Sequence, residues 1–243
     1  MRLFFFLTVF VFLASFVSSN AQQTFPYQLS NQVDFPLLGA GILTTGVAIY
    51  LDRRVEPLLE EQIGILEIDR ILGFDRYSIR HYSNAGHQLS NVTALSSIAF
   101  PFALLLDKEN REHSGELLLI TLEGALINAG LINLTKTIVR RPRPFVYNGS
   151  APLELKLKQE ARYSFFSGHT AVSSYFTFAG AQMYNDIYPD SRYKSTVWVT
   201  AAVLPLITGY GRMRAGKHFP SDVLVGYGVG ALLGVLVPRL HRL

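Results

Sequence analysis

Three short stretches in the C-terminal half carry residue types suited to chemistry: Lys136 to Pro144 (KTIVRRPRP), Ser167-Gly168-His169, and Arg212 to Asp222 (RMRAGKHFPSD). They combine cations, two histidines, a carboxylate and a Ser-Gly turn, a set that holds a tetrahedral oxyanion on several oxygens and brings a nucleophile to its centre. Lys136 and Arg143 lie about two helical turns apart. Pro142 and Pro144 bar a continuous helix, so the helix is expected to end near Val139 and Arg143 to return on a turn, its fork set for bidentate contact. Ser167 reads as a helix N-cap, Gly168 permits close backbone approach, and the free N–H groups of the helix start make an anion site with His169 beside it. Asp222 follows His218 by one helical turn and is expected to reach back to the imidazole, fixing its tautomer and freeing the other ring nitrogen for attack. Arg212, at the end of the preceding helix, completes the cradle.

These residues must be placed by helices. Apolar segments recur at 37–51, 92–106, 117–135, 170–183, 195–211 and 223–237, without strand alternation. Of the 243 residues, 49% are hydrophobic and only 16% charged, below the roughly 25% of a soluble domain. The expected fold is an all-α, membrane-embedded bundle of about five to six apolar helices. Residues 1–21 read as an export signal: Arg2, then the apolar run 3–17, then Ser19-Asn20-Ala21 as the cleavage site. The expected organisation is a leader over 1–21, an apolar segment and polar interfacial stretch over 22–91, and a helical core over 92–243. The charged stretch 52–91 reads as solvated or lying at the headgroups. Gly226, Gly230 and Gly234 form a ridge for close helix packing, and a homo-oligomer through this last helix is one expected partner contact. The chain has no cysteine, which excludes disulfides and thiolate metal sites. The net charge of +4 gathers at Arg140, Arg141 and Arg143 and at Arg212, Arg214 and Lys217. Without interleaved aromatic residues these read as phosphate and anionic-lipid contacts, not a nucleic-acid surface. His81 and His87 read as surface histidines, and His113 and His241 stand outside the motifs.

Lys-x6-Arg-Pro, Ser-Gly-His and Arg-x5-His-x3-Asp, in this order, resemble the type 2 phosphatidic acid phosphatase and vanadium haloperoxidase superfamily over roughly Leu117 to Val237. The resemblance implies that His218 attacks phosphorus to form a phosphohistidine, that Asp222 orients it, and that His169 protonates the leaving group. It implies that Lys136, Arg143, Ser167, Gly168 and Arg212 bind the phosphate, with no metal or cofactor. Phe166 stands where the family usually has proline, and Gly211 where it usually has serine before the arginine. The implied activity is a membrane phosphatase on a lipid phosphate or diphosphate. Alternatives within the superfamily are a soluble secreted acid phosphatase, kept open by a mean hydropathy of only +0.23, and a vanadate-dependent haloperoxidase.

Six crossings after a cleaved leader would put the site on the inner face. If the segment 37–51 packs at the interface without crossing, the site faces outward and Arg239, His241 and Arg242 fall inside, as positive-inside bias favours. The outward placement is the expectation.

Overall fold

The structure, a computed structural model, describes residues 25–243, so the expected leader lies outside the described residues. Among these, six long helices form the body: α1 (Asn31–Asp52), α2 (Asn84–Phe102), α3 (Ser114–Val139), α4 (Gly168–Ile187), α5 (Lys194–Arg214) and α6 (Pro220–Leu240). Polar residues extend five of the six apolar segments at both ends, and the segment 92–106 at its start alone. Ser30, Ser83 and Ser167 cap α1, α2 and α4 by accepting a backbone N–H, and Pro220 occupies the first position of α6, where its missing N–H costs nothing. As expected, α3 stops at Val139: Arg140 adopts the left-handed cap conformation (φ 51°) and the proline-rich segment leaves the helix.

Four of these segments are long and apolar enough to cross a membrane: Asn31–Asp52, Asn84–Leu106, Ser114–Tyr147 and Pro220–Leu240. Their outward faces carry Phe35, Ile42, Leu43, Leu95, Leu118, Leu122, Leu224 and Leu232, all exposed. A soluble protein does not present such a surface to water, and the soluble alternative fails on it. α4 is the central helix and is nearly all buried, with Ala171, Ser173, Ser174, Thr177, Ala179, Gly180 and Ala181 letting its neighbours close in. Hydroxyl pairs join α2, α4 and α5: Ser97 Oγ to Ser173 Oγ at 2.6 Å, and Thr208 Oγ1 to Thr93 Oγ1 at 2.8 Å.

Four expectations need correction. The glycine ridge of α6 is spent inside the chain. A Cβ on Gly226 would stand 2.6 Å from the Ser167 carbonyl oxygen, one on Gly234 2.6 Å from that of Tyr175, and one on Gly230 would strike the Ala171 carbonyl. The tethered α4 occupies this bare face, so the ridge serves packing within the chain. Residue 91 is no boundary either, because it lies inside α2, and α1 runs alongside α3. α1 is also a full-length helix and not a short interfacial segment. It begins near the far ends of α3 and α6 and finishes at the site end, where Tyr163 and Gln159 bind Asp52. The polar stretch, finally, is only partly solvated, since Asp75 and Ser78 are fully buried.

Candidate active site

The site forms at one end of the bundle, where α3 and α5 finish and α2, α4 and α6 begin. Gly168 opens α4 directly against Lys136: a Cβ there would stand 3.2 Å from Lys136 Nζ and 3.1 Å from Ile132 Cγ2. The ammonium therefore sits at the N-terminus of α4, and both groups favour an anion between them. Arg143 and Arg212 act electrostatically on the same imidazole, His218, together with Lys136. Arg143 Nε and Arg212 Nε are buried without a hydrogen-bond partner. Two orphaned guanidinium donors in one pocket are costly unless an anion accepts from them. Ser167 is buried and engaged with Thr170 at 2.8 Å, so the structure places its hydroxyl in a cap, with Gly168 as the backbone approach.

Gly216 (φ +65°) makes the turn that carries the chain from α5 back toward His218, and its carbonyl accepts from Phe145 N at 2.9 Å. A side chain there would strike the His81 carbonyl, so the position requires glycine on both counts. His218 is buried and its Nδ1 donates to the Ser164 carbonyl at 2.6 Å, which leaves an Nε2 lone pair. Burial first, then the charges of Arg212, Arg143 and Lys136, hold its pKa well below the ordinary histidine range. These influences favour the neutral imidazole over the imidazolium.

Asp222 departs from its expected contact. Its Oδ2 lies 3.8 Å from His218 Nδ1 and accepts from Ser164 Oγ at 2.5 Å and Phe219 N at 2.8 Å, while Oδ1 accepts from Arg141 at 2.6 Å. The reason is local: Asp222 sits in the first turn of α6 and is drawn to the free backbone N–H there, as a capping carboxylate is. It positions His218 through Ser164. Arg141 is likewise no phosphate contact. It bridges Asp222 and Asp75 (2.8 Å) and lies over the Phe219 ring, while Arg140 binds the Thr137 carbonyl. Ser164 and Asp75 carry no motif signal of their own, and Arg141, though inside the first motif, shows its partners only through the packing of distant loops.

His87 is no plain surface histidine. Its Nδ1 lies 3.2 Å from Arg212 Nη1, and the Asn91 amide bridges His87 Nε2 (3.3 Å) to His169 Nε2 (3.0 Å). His169 also lines an outer groove of about 250 Å³ with Asn91, Ala94, Leu95, Ile98, Gly168 and Val172. Gly211 explains its own departure from the family pattern. A Cβ there would meet the Gly86 carbonyl at 2.9 Å and Ser90 Cβ at 3.0 Å, so the α2–α5 crossing leaves no room for serine. Phe166 is buried against Ile132 and Ala171.

The chain is similar to known proteins. The chain is 29% identical over 141 residues to phospholipid phosphatase 2 of Mus musculus, covering 48% of this chain and 49% of that protein. It is 33% identical over 88 residues to phosphatidylglycerophosphatase B of Bacillus subtilis, covering 33% and 40%. The chain thus matches half the length of these curated relatives or less. Among solved structures, a transmembrane PAP2-type phosphatidylglycerolphosphate phosphatase from Bacillus subtilis aligns over 98% of this chain and 94% of its own, at 21% identity and a TM-score of 0.39. The family model described as the PAP2 superfamily matches residues 117–243, more than half of the chain and the whole of the site motifs, and the chain belongs to that superfamily.

Proposed function

We propose that the protein is a membrane phosphatase that removes phosphate from a lipid phosphate or diphosphate. The observation that carries this is the groove beside His169. It runs between α2 and α4, is walled by Ala94, Leu95, Ile98 and Val172, and Leu95 is 72% exposed on a helix apolar enough to span a membrane. An acyl or prenyl chain lying there leaves its headgroup at His169, with the phosphate toward Lys136, Arg143 and Arg212. Neutral His218 attacks phosphorus through Nε2 and the bridging P–O bond breaks. Burial and the charges of Arg212, Lys136 and Arg143 lower the pKa of His169 to about 3. His169 takes up a proton with the anionic substrate that offsets those cations, and delivers it to the departing alcohol or phosphate. Water, giving a proton to His169, then attacks the phosphohistidine, the N–P bond breaks, and phosphate and neutral His218 are released. Every step uses side chains of this chain and draws on no metal.

The test is phosphate release by detergent-purified protein from phosphatidate, phosphatidylglycerol phosphate and a polyprenyl diphosphate, each against His218→Ala. Leu95→Trp and Val172→Trp, which fill the groove, should depress turnover of the lipids while sparing a small soluble aryl phosphate. Equal turnover by wild type and His218→Ala refutes the phosphatase reading, and equal loss on lipid and aryl substrates in the groove variants refutes the lipid path.

The outward placement of the site carries a requirement. Successive helices meet the site with alternating ends, so the start of α1 and the C-terminus lie opposite the site, where Gln28 N binds the His241 carbonyl. An outward site needs α1 to start on the inner side, whereas a leader that carries that start across puts the site inside. The chain has no native cysteine, so Gly149→Cys at the site end and Asp190→Cys at the other report sidedness to an impermeant maleimide on intact cells. Labelling of Gly149→Cys alone supports the outward placement, and labelling of Asp190→Cys alone refutes it.

A further inference from the structure

At the end of the bundle away from His218, three side chains from separate helices converge: Asp34 in the first turn of α1, Glu123 in α3, and His241 just past α6. His241 Nε2 lies 3.0 Å from Asp34 Oδ1 and 3.0 Å from Glu123 Oε2, and one ligand atom from each residue falls within 4.8 Å of the others. All three residues are buried. The 13 residues of α3 that separate Glu123 from Lys136 set the cluster roughly 20 Å from the phosphate site, and the proposed chemistry uses none of the three.

The other ring nitrogen decides what the cluster lacks. His241 Nδ1 donates to the Val237 carbonyl at 2.9 Å, so Nε2 turns a lone pair toward two carboxylates. Three electron-rich atoms repel at this distance unless something positive lies among them. Glu123 is 0% exposed, and the one polar partner its oxygens meet is the His241 Nε2 itself. A proton on Nε2 alone leaves the trio with one net negative charge in a dry bundle, and neutrality without an ion takes a second proton on a carboxylate. A divalent cation bound by two carboxylates and a neutral imidazole leaves no net charge. A histidine whose Nδ1 is tied to a main-chain carbonyl while Nε2 faces inward is also the usual arrangement of a metal ligand.

We propose that Asp34, Glu123 and His241 bind a divalent transition-metal ion, with zinc the best match to one nitrogen and two oxygen ligands. Calcium and magnesium favour more numerous, all-oxygen shells. The ion clamps α1, α3 and α6 together at the end remote from the phosphate site. The main chain readies the imidazole for it: residues 26–28 pair with 241–243 through Gln28 N to the His241 carbonyl (3.0 Å) and Leu243 N to the Pro26 carbonyl (3.0 Å). Asp34, 8% exposed, leaves a path for the water that fills a remaining position.

The experiment uses full-length protein in detergent, stripped with a chelator and titrated with Zn²⁺ or Co²⁺. Wild type should take up about one zinc per chain with a rise in Tm, and Co²⁺ should give a visible d–d band. His241→Gln and Glu123→Gln should lose the band and the Tm response. Absence of stoichiometric zinc uptake by wild type, or a Co²⁺ band that survives His241→Gln, overturns the proposal and identifies the trio as a proton-held cluster. Should neither variant fold, Asp34→Asn at the rim of the cluster takes their place, and unchanged zinc affinity there also overturns it.

Discussion

His218 is held by the main-chain carbonyl of Ser164, 2.6 Å from its Nδ1, while the Asp222 carboxylate stands 3.8 Å away and grips the Ser164 hydroxyl. The proposed nucleophile is thus oriented by a peptide group that a carboxylate keeps in place. Ser164→Ala retains the carbonyl and loses only its tether, worth about 1 kcal/mol, so kcat should fall roughly fivefold with KM unchanged. Asp222→Asn does more. It leaves Arg141 short of a counter-charge and two buried donors competing for one acceptor, so stability should drop by about 2–3 kcal/mol along with activity. Thermal unfolding beside steady-state kinetics separates the two variants. A large kcat loss in Asp222→Asn at unchanged Tm would restore a direct carboxylate–imidazole contact.

The roles of the two histidines separate by leaving group. His169→Ala should impair dephosphorylation most where the departing alkoxide is poor, and least for activated aryl phosphates that leave without a proton. Rapid-quench trapping of acid-labile phosphohistidine should find label in wild type and His169→Ala but none in His218→Ala. Label present in His218→Ala and absent from His169→Ala would show the roles reversed.

Serine at position 211, the residue the family pattern usually carries, should harm this protein. The Gly86 carbonyl and Ser90 crowd that position, so Gly211→Ser must push α2 from α5 at a cost of about 1–3 kcal/mol. A lowered Tm with weakened phosphate binding is expected, because Arg212 is the next residue. Pairing Gly211→Ser with a substitution elsewhere on α5 that leaves Tm unchanged provides the control.

Lys217 supplies a pH dependence. Burial, followed by the charges of Arg143 and Arg212, lowers its pKa to about 8. Its charge is present below that value and lost above it, so attraction for phosphate weakens as pH rises through about 8. The kcat/KM profile, which reports the free enzyme, should fall on that alkaline limb, and Lys217→Arg should move the limb to higher pH. An unchanged limb in Lys217→Arg would remove Lys217 from the phosphate field.

Much of the site is legible in the residue string because its parts are local. Pro142 and Pro144 end α3 and turn Arg143 back, and Ser167-Gly168 begins a helix with free N–H groups, whatever surrounds them. The six apolar segments likewise announce six helices through their length and lack of alternation. Contacts between distant segments are not written this way. Whether Asp222 meets His218 or Ser164 depends on a loop 58 residues away, and the partners of Arg141 lie 66 and 81 residues away. The direction of the α6 glycine ridge, the closeness of Gly86 to Gly211, and the meeting of Asp34, Glu123 and His241 are of the same kind. Helix ends follow from short-range sterics and backbone hydrogen bonding, which a few neighbouring residues determine. The partner of a buried charge is chosen by whichever desolvated groups the whole packing brings within reach, and only the tertiary structure decides that.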